Sequence, residues 1–225
     1  PGLDVSRKAN DEIVTTADKE ADEAIRARLS RAFPQDKLLT EESFDPTQPI
    51  DLSQTWIVDP LDATRNFANK IPHFAVSLAY LENGQPKLGV IYDPLKDEMF
   101  TAVKGEPTRL NGRAIQVNKD TALEKSVVSL PFPYPKRILD TKIPNRRLGC
   151  AALDMAYVAA GRLGAASERN LKVWDVVAGL PLLEGAGGSL TDATGNPLDL
   201  TQKRFHYVAS NTRLHEPMLR LLQDA

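Results

Sequence analysis

The chain has 225 residues, 42% apolar, 26% charged and 6% aromatic, which is enough to bury one large core or two closely packed halves. A formal net charge of −2 gives no electrostatic reason for a nucleic-acid or membrane partner, and no apolar run approaches the roughly 20 residues of a membrane span. One cysteine, Cys150, excludes an intrachain disulfide and a cysteine-based zinc cluster, so a reducing, cytoplasmic setting is expected, with no signal peptide ahead of the first helix.

In chain order, "TTADKEADEAIRARLSRAF" predicts a helix with Ala21, Ala24, Ile25, Leu29 and Ala32 on its buried face, stopped by Pro34. "KLLTEES" predicts a short strand ending in acids, and "TWIVD" a second strand beyond a polar loop. From Ala75 to Gly105 three β-favouring runs separated by "ENGQ" and "DPLKDE" predict an antiparallel meander, and "RLNGRAIQVN" a hairpin turning at Asn111-Gly112. "SVVSLPF" predicts the strand that opens a second half, so the chain divides into 1–125 and 126–225 as parts of one compact unit. The proline-rich stretch 131–145 predicts irregular backbone.

In the second half, "CAALDMAYVAAGRLGAA" predicts one alanine-rich helix followed by a compact "SERNLKVWD" loop. "VWDVVAGLPLLEGAGG" predicts a single apolar helix ending in a left-handed glycine cap, with Asp175 inside it. "SLTDATG" and "HYVASN" predict strands, and "LHEPMLRLLQD" a final amphipathic helix. Mixed strands and helices, with a meander and no glycine-rich phosphate loop, predict a layered α/β (α+β) sandwich rather than a doubly wound nucleotide fold.

The chemistry sits in acids. Asp18, the pair Glu41-Glu42, the pair Asp59/Asp62 and Asp175 each precede or enter a regular element, and taken singly each suits a helix cap or a solvated strand end. "WIVDPLDATRNF" changes the balance. Pro60 biases Asp59 toward extended backbone, and Asp62 is placed at the start of the helix or turn that follows. Two carboxylates held close repel unless a cation lies between them, and hard divalent ions suit oxygen-only ligation. The N–H groups of Ala63 and Thr64 at a positive helix end would suit a phosphate oxygen.

The motifs "DEIVTTAD", "TEES", "WIVDPLDATRNF", "GCAALDMAYVAAGRL" and "VWDVVAGLPLLEGAGG", in that order, resemble the inositol monophosphatase family, and most of all its bacterial inositol-1-monophosphatase members. The resemblance runs through nearly the whole chain. It implies an α-β-α-β-α layered fold and a Mg²⁺-dependent, lithium-sensitive phosphomonoesterase, usually a homodimer, with two or three Mg²⁺ per site replaceable by Mn²⁺ or Ca²⁺ in a crystal.

Carried over by position, it implies metal binding by Glu41, Asp59, the Leu61 carbonyl, Asp62 and Asp175. Asp18 and Thr64, with Glu41, match the groups that activate the attacking water. Ala63, Thr64, the stretch Gly149-Cys150-Ala151, Glu168 and Asp175 match substrate contacts, and a basic residue near Lys8 is common. The three histidines, His73, His206 and His215, are expected to be packing or surface residues.

The implied substrate is inositol 1-phosphate or another small polyol phosphate, which Glu168 favours. Relatives in the superfamily use fructose 1,6-bisphosphate, 3'-phosphoadenosine 5'-phosphate or histidinol phosphate, and a catalytically weakened regulatory relative is the alternative of another class. Ala63 stands where the family has glycine and is expected to be the first residue of a helix, where its methyl group is nearly free. The family's first helix is largely absent upstream of Asp4, the segment between Phe132 and Arg146 is short, and an upstream piece is expected.

Overall fold

The computed structural model describes residues 5–7, 13–45, 47, 50–131, 138 and 141–223. Its framework is two sheets. The larger has seven strands in chain order: β3 (Lys37–Thr40), β4 (Gln54–Asp62), β5 (Ala75–Glu82), β6 (Gln85–Asp93), β7 (Glu98–Val103), β8 (Arg109–Leu110) and β9 (Arg113–Ala114). Only β3 and β4 pair in parallel, because an intervening loop returns the chain, while each later pair is antiparallel. The hairpin turns sit where the sequence places them: Asn83-Gly84 and Asn111-Gly112 both take positive φ, the backbone that two-residue turns demand.

The second sheet has the order β11 (Asn145–Arg146), β10 (Val128–Ser129), β12 (Ala165–Leu171), β14 (Phe205–Asn211), β13 (Gly188–Asp192). A short hairpin of β1 (Val5–Arg7) and β2 (Ile13–Thr15) precedes the first helix.

Strand β5 alternates buried and half-buried residues, and its buried face, Ala75, Ser77, Ala79 and Leu81, looks into the space between the sheets. That space is filled by α3 (Ala151–Ala159), α4 (Val173–Val176) and α5 (Gly179–Gly185). Small residues let the layers approach: at Gly89 a Cβ would run into the carbonyl of Ala178. On the outside, α1 (Thr16–Ala32) lies on β4, and α6 (His215–Leu222) covers the far face of the second sheet over Val128, Ala165 and Val208. The result is an α-β-α-β-α sandwich, as the resemblance implies.

Four local expectations are corrected. First, the predicted helix over "CAALDMAYVAAGRLGAA" stops at Ala159, because the left-handed Gly161 reverses the chain, and "AASERNL" is the central strand β12 rather than helix and loop. Second, "VWDVVAGLPLLEG" is two helices. Pro181 has no N–H to give the Val177 carbonyl, and Leu180 bonds it with a tighter turn at 3.3 Å. Third, the buried residues of α1 are Asp18 and Asp22, with Ala24 and Ala32 exposed, so its inner stripe begins with carboxylates. Fourth, Ala63 is not helical: it has φ 73° and ψ 45°, left-handed backbone just before α2 (Thr64–Ala68). Lys8 lies outside the described residues, as does most of the proline-rich stretch.

Candidate active site

Strand β4 does not end at Asp59. It continues to Asp62, but its register against β5 shifts between the two acids, and the Asp59 carboxylate closes that irregularity by accepting the Leu61 N–H at 2.9 Å. The bulge directs Asp59 and Asp62 toward one end of the sheet, where the chain reverses through Ala63. Glu41 arrives there from the turn after the neighbouring parallel strand β3, and Asp175 from the start of α4. One carboxylate oxygen from each of Glu41, Asp59 and Asp175 falls within 4.8 Å of the others. Asp59 is 1% exposed.

This arrangement is unfavourable for anions. Burial pushes the Asp59 carboxyl well above the usual range, and the charges of Glu41, Asp62 and Asp175 push it further. Burial likewise raises Asp175, followed by the charge of Asp62, against a hydrogen bond from the Lys172 N–H at 2.6 Å. Asp62 is also raised by burial but is held down by three donors: the Cys150 thiol, the Ala152 N–H and the Ala63 N–H. The first two meet its Oδ2 at 3.0 and 2.7 Å. Crowded, oxygen-only donors whose ionised forms repel one another fit a hard divalent cation.

Beside the carboxylates, the Thr64 hydroxyl lies 2.8 Å from Asp18 Oδ1 and 3.1 Å from the Leu61 carbonyl oxygen. Asp18 is fixed by Thr15, whose N–H and hydroxyl both donate to Oδ2, at 2.7 and 2.5 Å.

A cleft of about 290 Å³ opens over these groups. Glu41, Asp59, Leu61, Asp62, Ala63, Thr64, Gly149 and Asp175 line it, with Asp18 directly behind Thr64. Cys150, Ala151 and Glu168 are not among the lining residues: Cys150 precedes α3 and bonds Asp62, while Glu168 lies in β12 opposite Tyr207. The Ala63 N–H, expected for a phosphate, is engaged by Asp62.

None of the histidines lines the cleft. His206 meets Ser167, and His215 is held between Thr191 and Ser210 at 2.9 and 2.7 Å. Residues missed from sequence are Arg65, Asn170, Lys172 and Arg204 in the cleft wall, and Asn66. The Asn66 amide donates to the carbonyls of His73 and Leu148 and so ties the turn after Ala63 to the loop at Gly149. Its place at the end of "DATRN" is the only signal that could have found it.

The model of the inositol monophosphatase family matches residues 2–225. The chain belongs to that family. It is 35% identical over 234 residues to the Nus factor SuhB of Escherichia coli (strain K12), a match covering 99% of this chain and 86% of the relative. It is 39% identical over 205 residues to the inositol-1-monophosphatase of Rhizobium meliloti (strain 1021), covering 86% of this chain and 77% of that protein. Among solved structures, an IMPase/NADP phosphatase complexed with Mg²⁺ and phosphate matches with a TM-score of 0.90 at 27% identity, covering 99% of this chain and 87% of that one. Membership makes metal-dependent phosphatase chemistry the frame for the site. No helix among the described residues is long and apolar enough to cross a membrane.

Proposed function

We propose that the protein is a Mg²⁺-dependent phosphomonoesterase that hydrolyses inositol 1-phosphate or a similar small polyol or sugar phosphate. The convergence of Glu41, Asp59 and Asp175 beside the Thr64–Asp18 pair is the observation that carries the reading. Those three acids, with Asp62 and the Leu61 carbonyl, are the groups that would hold Mg²⁺. A Mg²⁺ ion held by them would neutralise phosphate charge and lower the pKa of a coordinated water.

The chain's own part is positioning. Asp18 Oδ1 accepts the Thr64 hydroxyl proton, which turns the Thr64 lone pairs toward the cleft to accept a hydrogen bond from the attacking water. A proton leaving that water has a path through Thr64 Oγ1 to Asp18, which Thr15 fixes from behind. Orientation and charge neutralisation are what phosphoryl transfer mainly requires. Glu168 is assigned to substrate hydroxyls on the resemblance alone. The same reading carries a lithium-sensitive, homodimeric, cytoplasmic enzyme.

The test is phosphate release from a panel of polyol and sugar phosphates at varied Mg²⁺, with and without lithium, on protein of measured mass in solution. Metal-dependent release is expected, and Asp59→Asn is expected to abolish it with an unchanged circular dichroism spectrum. Absence of metal-dependent release from every ester would overturn the proposal.

A further inference from the structure

The cleft has a side that hydrolysis itself does not use. Between Arg169 and Leu171 the register of β12 against β14 shifts, and Asn170 at the irregularity takes φ 65°, the left-handed region. Asparagine is the non-glycine residue that best tolerates this backbone, and a strand irregularity there re-aims the groups beside it. What it aims is the Asn170 carbonyl, which accepts a hydrogen bond from Arg204 Nη1 at 3.1 Å. Asn170, Lys172 and Arg204 form one wall of the cleft, and Arg65, from α2, lines it as well. None of these three cations forms a salt bridge with a described residue, although four carboxylates line the same cleft.

The charge balance then decides what fits. With the four carboxylates neutralised by cations, Arg65, Lys172 and Arg204 remain as three positive charges in the lining. A phosphate monoester dianion answers about two of them. A leaving group that is a neutral polyol leaves the remaining one unanswered, whereas a leaving group with its own anionic group satisfies it. Arginine held by a backbone carbonyl is suited to this, because its planar fork is oriented before the ligand arrives.

We propose that Arg204, braced by the Asn170 carbonyl and assisted by Lys172, is a specificity-determining residue that takes a second anionic group carried by the substrate's leaving group. The proposal rests on the phosphatase reading and narrows it: among small sugar and polyol phosphates, those with a second phosphate or a carboxylate are preferred.

The test uses two non-hydrolysable probes, 4-phosphonobutanoate and its amide 4-phosphonobutanamide, which share chain length and shape and differ in the terminal charge. Calorimetry on the full chain with Mg²⁺ is expected to give at least fivefold tighter binding of the carboxylate probe. In Arg204→Gln, an exposed position whose substitution leaves the core untouched, that ratio is expected to fall to near one, and in Lys172→Gln to fall partway. A parallel kinetic comparison of fructose 1,6-bisphosphate with inositol 1-phosphate is expected to show the kcat/KM ratio falling about fivefold in Arg204→Gln, chiefly through KM. A wild-type ratio near one, no binding of either probe, or a ratio unchanged in Arg204→Gln would overturn the inference. Loss of all metal-dependent phosphate release would instead overturn the phosphatase reading, so the two failures are distinguishable.

Discussion

Replacing Asp154 by asparagine is expected to stabilise the metal-free protein, and to do so more strongly the higher the pH. Asp154 is in α3, 2% exposed, with one oxygen on the Ser129 hydroxyl at 2.6 Å and the other without a hydrogen-bond partner among the described residues. Burial lifts its carboxyl from 3.8 to about 8, against the pull of the Ser129 hydrogen bond and with help from the charges of Asp62 and Glu168.

The folded state therefore keeps a proton that the unfolded chain has already released. Stability from this residue is fully present below pH 3.8 and is lost as pH rises toward about 8, by about 1.4 kcal/mol per pH unit for one proton. Over the whole window the loss is on the order of 5 kcal/mol, comparable with the total stability of many domains. Asparagine mimics the neutral acid and removes this dependence. Urea unfolding in EDTA at pH 5, 6.5 and 8 should show the Asp154→Asn advantage growing by several kcal/mol. An advantage that stays constant across that range would refute the assignment of a buried, protonated Asp154.

Ala63→Gly separates the left-handed backbone from the helical one expected from sequence. Release of about 1–2 kcal/mol of left-handed strain offsets the added freedom of the unfolded chain and the lost methyl burial, so the variant should be as stable as the parent or slightly more so in urea. A loss near 1 kcal/mol, the penalty for glycine inside a helix, would contradict the positive φ. Cys150→Ala removes the thiol that donates to Asp62 Oδ2 and is expected to weaken Mg²⁺ affinity about tenfold by titration, while Cys150→Ser, which keeps a donor, restores most of it. Equal affinity in both variants would show that the thiol only fills space.

The meander, its turns and the final helix were legible because each rests on local signals: alternation in β5, Asn-Gly at two turns, and an apolar stripe in α6. Strand β12 was not, since "AASERNL" has weak β propensity and becomes a strand only by pairing with β14, forty residues on. The break between α4 and α5 was readable from Pro181 but was masked by the continuous apolar run around it. At the site, Glu41, Asp59, Asp62 and Asp175 drew attention through the carboxylate pair in "DPLD" and then through the family resemblance, and they line one cleft. The basic wall did not, because Arg204 and Lys172 are ordinary charged residues in sequence, far apart along the chain, and meet at the cleft beside Asn170 through the fold.

The two readings of the acids, helix cap or metal ligand, turn out not to compete, because a carboxylate has two oxygens. Asp18 accepts the Thr15 N–H ahead of α1, Asp62 accepts the Ala152 N–H at the start of α3, and Asp175 accepts the Lys172 N–H ahead of α4. Each bond fixes a rotamer and is worth about 1 kcal/mol, and at Asp62 and Asp175 the N–H donor favours the ionised form in a place where burial opposes it. For Asp18 the second oxygen is visibly employed, on Thr64. Three acids are thus each held by an N–H at or ahead of a helix start, and the capping that would explain each acid alone is compatible with the proposed cation site.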